Sequence, residues 1–468
     1  MILYIHITII KAMNSHQNVN LLEGKEGKVI ITFSLFFILS DLLQQLYNAV
    51  DTVILGRFVS TNALAAIGVA TPIMNLFLYM IAGFAIGSSI VFARHFGKGD
   101  KEALRRSLST ALIIGLIFTI VLSLIGILVC KPFLKFLRTP DEILNDTFIY
   151  LCIIFAGNVF SFLYNFYCYA IRSIGNSLTP LIFLIIAVVI NAGLDLVLVV
   201  GFNLGVMGAA LATVIAQILS VIMVIFYTNT KIELLHLKIK DLIFDKTMVK
   251  DVLSYSSTVA LQQSFVYIAR ICVQGLVNTY GADTIAGANV GEKINALMLI
   301  IFRGYTNAVT TFYSQNLGAG KYDRIANGYK STFIVTAVNT VVFTLIGVFL
   351  AQPLVEIFID SSSTEAITAG TMYTRVQAYG YIFAFLIFQN QAFMRGVGWL
   401  KSFFTQTFST ISLRVIFAYA LNGVLGRDSV FWAVPLSWVF GGTLSICLGL
   451  YIYFKDISKH RKEIAQSL

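Results

Sequence analysis

The chain has 468 residues, of which 57% are hydrophobic and 12% are charged, and its mean hydropathy is +0.83. Such a composition excludes an ordinary soluble globular protein and indicates an integral membrane protein. The net charge is +10. Because the positive residues are concentrated between apolar runs, this charge indicates membrane topology and attraction to anionic lipid, not a nucleic-acid partner.

Apolar runs of about 20 residues recur along the whole chain, and a helix of that length crosses the roughly 30 Å of hydrocarbon in a bilayer. In chain order they predict twelve membrane-spanning helices, called spans 1 to 12, at residues 29–53, 63–92, 107–130, 147–170, 179–200, 206–227, 251–277, 284–315, 331–350, 371–393, 403–422 and 431–454. The predicted fold class is therefore an all-α integral membrane protein with 12 transmembrane helices.

Loop charge predicts the orientation of these helices, because Lys and Arg collect in short loops on the cytoplasmic side of a membrane. If the amino terminus lies inside, most of the 33 Lys and Arg residues fall in inner segments, above all in residues 93–106 and 228–250. The outer loops hold few of them. We therefore expect a multi-pass protein of the plasma (inner) membrane with both termini in the cytoplasm.

Several kinds of catalytic and metal site are absent from the sequence. It holds no GxxxxGKS/T phosphate loop, no His and Cys cluster at metal-binding spacing, and no Ser with His and Asp partners inside the predicted spans. Its five cysteines lie in or at the edges of apolar runs and are expected to be small core residues. We predict that the protein is not an enzyme and has no cofactor, and that ATP does not drive it, which leaves an ion gradient as the energy source.

The sequence repeats itself at a nearly constant offset, which indicates an internal duplication. The recurring pairs include Gly97 and Gly318, Gly99 and Gly320, Pro132 and Pro353, Arg172 and Arg395, and Gly175 and Gly398. Each half holds six predicted spans, and an even number of crossings returns the chain to the same side of the membrane. The two six-helix bundles are therefore expected to be related by a pseudo-two-fold axis along the membrane normal, with the substrate site between the halves.

The repeat also sets the predicted domain limits. They are a cytoplasmic tail at 1–27, a first lobe with spans 1–6 at 28–228, a cytoplasmic linker at 229–250, a second lobe with spans 7–12 at 251–455, and a cytoplasmic tail at 456–468. Residues 1–10 are apolar but too short to span a bilayer, and they lack the basic and small-residue features of a signal peptide. A translation start at Met13 is a hypothesis.

Polar residues in the first predicted lobe fall on single faces of otherwise apolar spans. In span 1 these are Asp41, Gln44, Tyr47, Asn48 and Asp51, within about 120° of the helix surface. Other spans contribute Asn158, Ser161 and Asn165 (span 4), Asn191 and Asp195 (span 5), and Thr213 and Gln217 (span 6). Because a polar face is excluded from lipid, we expect these faces to converge in the interior of the lobe.

Two of these residues, Asp51 and Asp195, are carboxylates inside the hydrocarbon region, where a charge costs roughly 2.5–3.5 kcal/mol on insertion scales. Two carboxyls in one poorly solvated pocket would bind a proton readily, and amide neighbours suit Na⁺ as well. Alternatively, the polar residues only hydrogen-bond one another and hold the helices together. That alternative accounts for the Asn, Gln and Thr residues, but an amide in place of either Asp would serve it without a charge. For Asp41, nearer the predicted cytoplasmic end, both interpretations stand.

The second predicted lobe carries a different polar set, without an Asp in the interior of its spans. The candidates are Gln263, Arg270 and Gln274 in span 7, Glu292 and Arg303 in span 8, Gln389 and Gln391 in span 10, and Arg414 in span 11. Glu292 is expected to form a structural ion pair with Arg270, Arg303 or Lys293. If that pair faces a central cavity instead, it would influence which substrates enter.

The pattern resembles the multidrug and toxic compound extrusion (MATE) family of cation-coupled exporters over nearly all of residues 28–455. The segments that carry the resemblance are LLQQLYNAVDTVILGRF (42–58), ALAAIGVATPI (63–73), HFGKGD (95–100), IRSIGNSLTP (171–180), NAGLDLVLV (191–199), QNLGAGKYD (315–323) and MRGVGWLKSF (394–403). The resemblance implies two six-helix bundles that form a V-shaped cavity, which opens alternately to each side of the membrane.

One subgroup of that family has an acidic ion site in the first lobe. Its motif residues fall here on Gln44, Tyr47, Asp51, Asn191, Asp195 and Thr213, with Asn165 as the span 4 asparagine. By resemblance these residues bind the H⁺ or Na⁺ that is exchanged for the drug, and Na⁺ at Asp51 and Asp195 is the only metal that the resemblance implies. The chain departs from the family in Phe36, where members often have proline, in Asp41, where many have Asn, and in an unusual Arg270. Second-lobe carboxylates of other subgroups are absent, which favours coupling in the first lobe.

We therefore predict a secondary active exporter of amphipathic, cationic small molecules, driven by H⁺ or Na⁺ antiport, which contacts membrane lipids and acts as a monomer. The nearest alternative is a flippase of lipid-linked oligosaccharides or other amphiphiles from the same superfamily, for which Arg270, Arg303 and Arg414 would supply a basic cavity. An intramembrane acyl- or glycosyltransferase lacks the catalytic residues that it would need. A purely structural protein explains neither the duplication nor the buried acids.

Overall fold

The structure is a computed structural model that describes residues 19–237, 242–359 and 363–467. Within these ranges, the side chains of residues 48–58, 61, 64, 462 and 464–467 lie outside the description. Met13 and most of the predicted amino-terminal tail therefore fall outside the described residues. Every regular element in the described residues is a helix.

In the described chain, twelve helices have 18 residues or more and correspond one to one to the predicted spans. They are α1 (Glu26–Phe58), α2 (Thr61–Lys98), α3 (Lys101–Phe136), α4 (Asp141–Ser173), α5 (Leu178–Asp195), α6 (Gly205–Lys231), α7 (Lys246–Val277), α8 (Ala282–Gly318), α9 (Tyr322–Phe349), α11 (Thr364–Val397), α12 (Leu400–Ala420) and α14 (Asp428–Ile452). Shorter helices are α10 (Ala351–Glu356), α13 (Asn422–Leu425) and α15 (Ser458–Ser467). Helices α5 and α14 continue as π-helical segments at Leu196–Gly201 and Tyr453–Ile457.

The helices are longer than the apolar runs that predicted them. Helix α2 has 38 residues, for example, whereas the apolar run covers residues 63–92. Its first turn is capped by the Ser60 side chain, and Gly99, whose φ is 73°, follows its last residue. Backbone hydrogen bonding continues into polar turns beyond the hydrocarbon, where hydropathy no longer marks the helix. When the π-helical segments are counted with α5 and α14, only spans 9 and 11 were predicted to end beyond their helices, by one and two residues respectively.

Nine of the described helical segments are long and apolar enough to cross a membrane, and α7, α11 and α12 are not among them. In α11 and α12, buried polar side chains that hydrogen-bond one another contribute to the lower hydropathy. Gln391 Nε2 donates to Gln406 Oε1 at 2.9 Å and to Thr407 Oγ1 at 3.0 Å, and all three side chains are buried. Because these groups are paired inside the protein, the helices can carry them at bilayer depth.

The backbone repeats the duplication that the sequence predicts. Three glycine pairs at nearly the same offset all have positive φ: 73° and 66° at Gly99 and Gly320, 94° and 92° at Gly175 and Gly398, and 53° and 55° at Gly205 and Gly426. Glycine adopts this conformation without the steric cost that a Cβ atom brings. The two halves therefore turn the chain in the same way at equivalent loops.

The contacts within the described chain divide it into two units. The first unit comprises Val19 and Leu39–Ser264, and the second unit comprises Asn20–Ile38 and the residues from Phe265 onward. The first part of α1 is thus grouped with the helices of the second half, and the first part of α7 with those of the first half. Contacts define these two units, whereas the sequence repeat defined the predicted lobes. The two divisions are therefore not equivalent, and the predicted domain limits stay a prediction.

Small residues bring the helices of the first unit close together. A Cβ atom on Gly87 of α2 would lie 2.4 Å from the carbonyl oxygen of Tyr255 in α7, and one on Gly83 would lie 2.7 Å from Ala260 Cα. The adjoining core includes Ala63, Ala66, Ala70, Leu151, Ile154, Phe155, Ala209 and Ala210. Helix α6 packs against both α4 and α5. This packing brings together the three helices that carry most of the predicted site.

In the second unit, Arg324 of α9 holds the segment that precedes α1. Its guanidinium donates to the carbonyl oxygens of Leu21 at 3.2 Å, Glu23 at 3.1 Å and Gly24 at 2.7 Å. The Leu21 side chain is buried. One planar group with several donors therefore satisfies three backbone acceptors and fixes how the chain enters α1.

Candidate functional site

Asp195 lies at the last residue of α5, where the helix changes from α to π geometry. Its side chain is 0% exposed, and that of Asn191, one turn earlier on the same face, is 2% exposed. π-Helical turns in longer helices are frequent at functional sites because they redirect side chains. A fully buried carboxyl next to a buried amide is the main feature of the candidate site.

The polar faces of α4 and α6 meet in the first unit, as their sequence periodicity predicts. Ser161 Oγ of α4 donates to Gln217 Oε1 of α6 in a short hydrogen bond. Two further predicted residues bond within their own helices, because Asn165 Nδ2 donates to Ser161 O at 2.8 Å and Thr213 Oγ1 donates to Ala209 O at 3.1 Å. The Ser161 and Gln217 contact was not predicted as part of the site, although both residues lie on the polar faces that the sequence revealed.

Asn158 of α4 is 0% exposed, and neither polar atom of its side chain has a hydrogen-bond partner among the described residues. A buried amide that forms no hydrogen bond costs about 1–3 kcal/mol per unsatisfied group. The interior of the first unit therefore offers donor and acceptor atoms that a bound ion or water can use.

Helix α1 contributes residues of mixed exposure. Asp41 and Tyr47 are half-buried and Gln44 is exposed. Asp51 lies in α1, but its side chain, like that of Asn48, is outside the described residues. The predicted pairing of Asp51 with Asp195 therefore stays a prediction.

In the second unit, Arg270 Nε of α7 forms an ion pair with Glu292 Oε1 of α8. This is one of the three partners that the sequence suggested for Glu292. Arg303 and Arg414 are half-buried, and the Nε atom of each is buried without a hydrogen-bond partner among the described residues. Gln263 is half-buried and belongs by its contacts to the first unit. The structure thus joins Arg270 to Glu292 within the second unit.

Two arginines that the sequence revealed only as a repeated pair hydrogen-bond to neighbouring helices, and Arg172 is half-buried whereas Arg395 is buried. Arg172 Nη2 at the end of α4 donates to Ser40 Oγ at 3.1 Å. Arg395 Nη2 at the equivalent position of α11 donates to Thr310 Oγ1 at 3.2 Å and is 5% exposed. The recurrence of these two arginines in both halves was the sequence feature that could have predicted their shared hydrogen-bonding position.

Carboxylates outside the spans also have defined partners. Asp100 accepts a hydrogen bond from Ala103 N at 2.9 Å, and this backbone bond lowers the pKa of its carboxyl. Asp245 accepts from Thr247 N at 2.8 Å and from Thr247 Oγ1 at 2.7 Å, and these bonds lower the pKa of Asp245. Both groups therefore favour the charged form, which stabilises helix starts.

The described residues contain no group of three or more His, Cys, Asp and Glu side chains that could hold a metal ion. Since the Asp51 side chain is outside the description, Na⁺ at Asp51 and Asp195 stays a prediction.

The chain is similar to one family of known proteins along most of its length. The MatE family model matches residues 37–197 and again residues 258–420, in the register that the internal duplication predicts. A probable multidrug resistance protein of Bacillus subtilis, YoeA, is 27% identical over 344 residues, which cover 71% of this chain and 74% of that protein. A second from the same organism, YpnP, is 24% identical over 420 residues, which cover 89% and 93%.

A solved structure of an outward-facing multidrug resistance MATE family transporter of the MOP superfamily matches 95% of this chain and 98% of its own, with a TM-score of 0.87 and 19% identity. This likeness concerns the fold. Together with the twelve long helices of the described chain, it confirms the predicted fold class, an all-α integral membrane protein built from two six-helix bundles.

Proposed function

The chain belongs to the MatE family of multi-pass membrane transporters, and from this premise we propose that it exports amphipathic organic molecules as a multidrug transporter. Two relatives similar over most of the chain carry names that describe multidrug resistance. Amphipathic cations are the proposed substrates, because a largely apolar cavity with a few polar groups accepts such molecules. We also propose that the protein is a monomer in the inner membrane. The loop charge favours an orientation with both termini in the cytoplasm.

We further propose that export is coupled to the entry of H⁺ or Na⁺ at Asp195 and Asp51. The supporting observation is the complete burial of Asp195 beside Asn191. A buried carboxylate is stabilised when a proton or a cation neutralises it, so ion occupancy changes the energy of the surrounding helices. An ion can shift the equilibrium between two open states only by the difference in its affinity for them, and the change in burial of Asp195 would supply that difference.

The flippase alternative is less favoured. It relied on a surplus of positive charge at Arg270, Arg303 and Arg414, and Arg270 is compensated by its ion pair with Glu292. The names of the two relatives also describe drug resistance. Multidrug export accounts for both observations.

Efflux of ethidium from proteoliposomes tests this proposal when pH and sodium gradients are imposed separately. We expect transport to follow one of the two gradients and to be lost in Asp195→Asn and in Asp51→Asn. The matched control is Asp146→Asn, since Asp146 is exposed on α4. This variant should transport like the wild type.

The outcomes separate the parts of the proposal. Gradient-driven efflux that persists in both Asp51→Asn and Asp195→Asn would contradict the coupling mechanism and leave the export function. No movement of ethidium or related cations under either gradient would contradict the substrate class.

A further inference from the structure

A groove of about 670 Å³ opens in the second unit between α10, α11 and the start of α14. It is lined by one acidic residue, Glu356 of α10, and one basic residue, Arg375 of α11. Both side chains are exposed. The ion-coupling site proposed above lies in the first unit, so this groove is separate from it.

The predicted span limits place this groove where a bilayer passes from headgroups to hydrocarbon. The predicted span in α11 begins at residue 371, so Arg375 is about 6 Å further along the helix axis. Trp432, which also lines the groove, is at the end of the predicted span 431–454. Arg side chains extend toward the interface, and Trp and Tyr concentrate there. The position of the groove therefore suits a lipid headgroup.

The two charges of the groove are available for a ligand. Among the described residues Arg375 forms no salt bridge. Glu356 Oε1 accepts a hydrogen bond from Gln352 Nε2 at 2.8 Å, which orients the carboxylate. A guanidinium recognises phosphate through paired donors, and a carboxylate recognises an ammonium group.

Thr371 provides an independent sign that a polar ligand belongs here. Its side chain lines the groove and is 7% exposed. Its Oγ1 has no hydrogen-bond partner among the described residues. A buried hydroxyl without a hydrogen-bond partner is destabilising unless a ligand or water supplies that partner. A phosphate oxygen would accept its hydrogen bond.

Gln352, Thr364 and Thr368 add further polar groups to the groove, and Met372 and Val376 of α11 form an apolar wall together with Trp432. Tyr379 lies one helical turn after Arg375 on α11. It also lines the groove and is 54% exposed. An acyl chain that leaves a headgroup at Arg375 could lie along these side chains. The groove thus combines polar groups near the interface with an apolar wall, which matches a whole phospholipid better than free phosphate.

We propose that this groove is a binding site for phosphatidylethanolamine, with the lipid phosphate at Arg375 and Thr371 and the primary ammonium at Glu356. Phosphatidylethanolamine carries both charges, and its ammonium donates hydrogen bonds to a carboxylate. The quaternary ammonium of phosphatidylcholine has no such donor, and phosphatidylglycerol has no cation. The site is therefore selective among phospholipids, and this selectivity goes beyond the proposed export function.

Native mass spectrometry of the purified full-length protein, titrated separately with the three phospholipids, tests the proposal. We expect phosphatidylethanolamine to bind more tightly than the other two, and Arg375→Gln to weaken its binding about tenfold, as expected for loss of roughly one charge-assisted contact. Glu356→Gln should remove the preference over phosphatidylcholine while phosphate binding remains. The control is Arg427→Gln, because Arg427 pairs with Glu365 at 3.3 Å and does not line the groove.

Thermal unfolding of each variant checks that it is folded. Equal binding of phosphatidylethanolamine and phosphatidylcholine by the wild type would overturn the proposal, as would unchanged binding in folded Arg375→Gln. Binding of free inorganic phosphate as tight as that of the lipid would assign the groove to phosphate alone. Since the readout is lipid binding, these results are independent of ethidium transport.

Discussion

At the scale of single residues, the first unit depends on positions where one side chain is either required or excluded by its neighbours. Asp195 is fully buried at the α-to-π transition of α5, where a carboxyl is costly in an apolar slab. Gly87 is the opposite case, because backbone atoms of α7 occupy the space that any side chain would need. Both positions are informative because the surrounding helices cannot easily rearrange around them.

Gly87→Ala is expected to destabilise the protein by about 1–3 kcal/mol or more, the usual cost of overpacking a dense interior. Its Cβ would lie 2.4 Å from the Tyr255 carbonyl oxygen and 2.5 Å from Ser256 Cα, so α2 and α7 would have to separate. Gly68→Ala in the same helix is the control, since nothing lies within 4 Å of its Cβ position. Alanine there should be neutral or stabilising by roughly 0.5–1 kcal/mol.

The thermal midpoint of each variant in detergent measures this difference. Equal midpoints for Gly87→Ala and Gly68→Ala would contradict the close approach of α2 and α7.

At the scale of elements, the end of the linker is fixed on α3 before α7 begins. Ile243 N donates to Ser109 Oγ at 2.6 Å, and Asp245 N donates to Thr110 Oγ1 at 3.0 Å. Arg106 adds an ion pair with Asp245 at 3.3 Å. The sequence predicted a cytoplasmic linker with an excess of Lys and Arg here, and the described part of it is held by hydroxyl groups of α3 as well as by an ion pair.

Acid is expected to weaken this attachment. The hydrogen bonds from Thr247 lower the pKa of Asp245 below its ordinary value of 3.8, so the charged form favours the folded arrangement. This contribution is complete above the ordinary pKa and is lost as the pH falls through the lower, folded-state pKa. Asp245→Asn should therefore remove part of the loss of thermal stability at acid pH, whereas Asp146→Asn should not.

Thermal midpoints measured across the acid range, as differences from the wild type, isolate this contribution. A pH profile of Asp245→Asn that runs parallel to the wild type down to the lowest pH would contradict the role given to the carboxylate.

At the scale of the whole molecule, twelve long helices in the described chain form an even number of crossings. The two ends of the described chain are then expected on the same side of the membrane. The excess of Lys and Arg in segments such as 93–106 and 228–250 favours the cytoplasm as that side. The proposed direction of export depends on this orientation.

Fusions at the carboxyl terminus test the orientation in a bacterial host. We expect a green fluorescent protein fusion to be fluorescent and an alkaline phosphatase fusion to be inactive, because the phosphatase folds only outside the cytoplasm. A phosphatase fusion placed in the loop before Asp428 should be active and serves as the control. Activity of the carboxyl-terminal phosphatase fusion would reverse the assigned topology.

Part of the candidate site could be predicted from the sequence because helix periodicity is a local property. Asn191 and Asp195 are one turn apart on an apolar helix, and both are buried as that pattern predicts. Their partners could not be predicted, because hydrogen bonds between helices depend on packing. The bond between Ser161 and Gln217 joins α4 to α6 across 56 residues of chain, and only the fold brings these residues together.

The sequence by itself determined the membrane environment, the twelve spans, the duplication and the family, because apolar length, charge bias and repeated glycines are recorded residue by residue. Tertiary structure decided how the polar residues of α11 and α12 satisfy one another, that the first part of α1 is grouped with the second unit, and where Glu356, Thr371 and Arg375 meet in one groove. These features depend on which side chains face one another across helices. Local hydropathy contains no information about that, since it records how polar a residue is and not what it contacts.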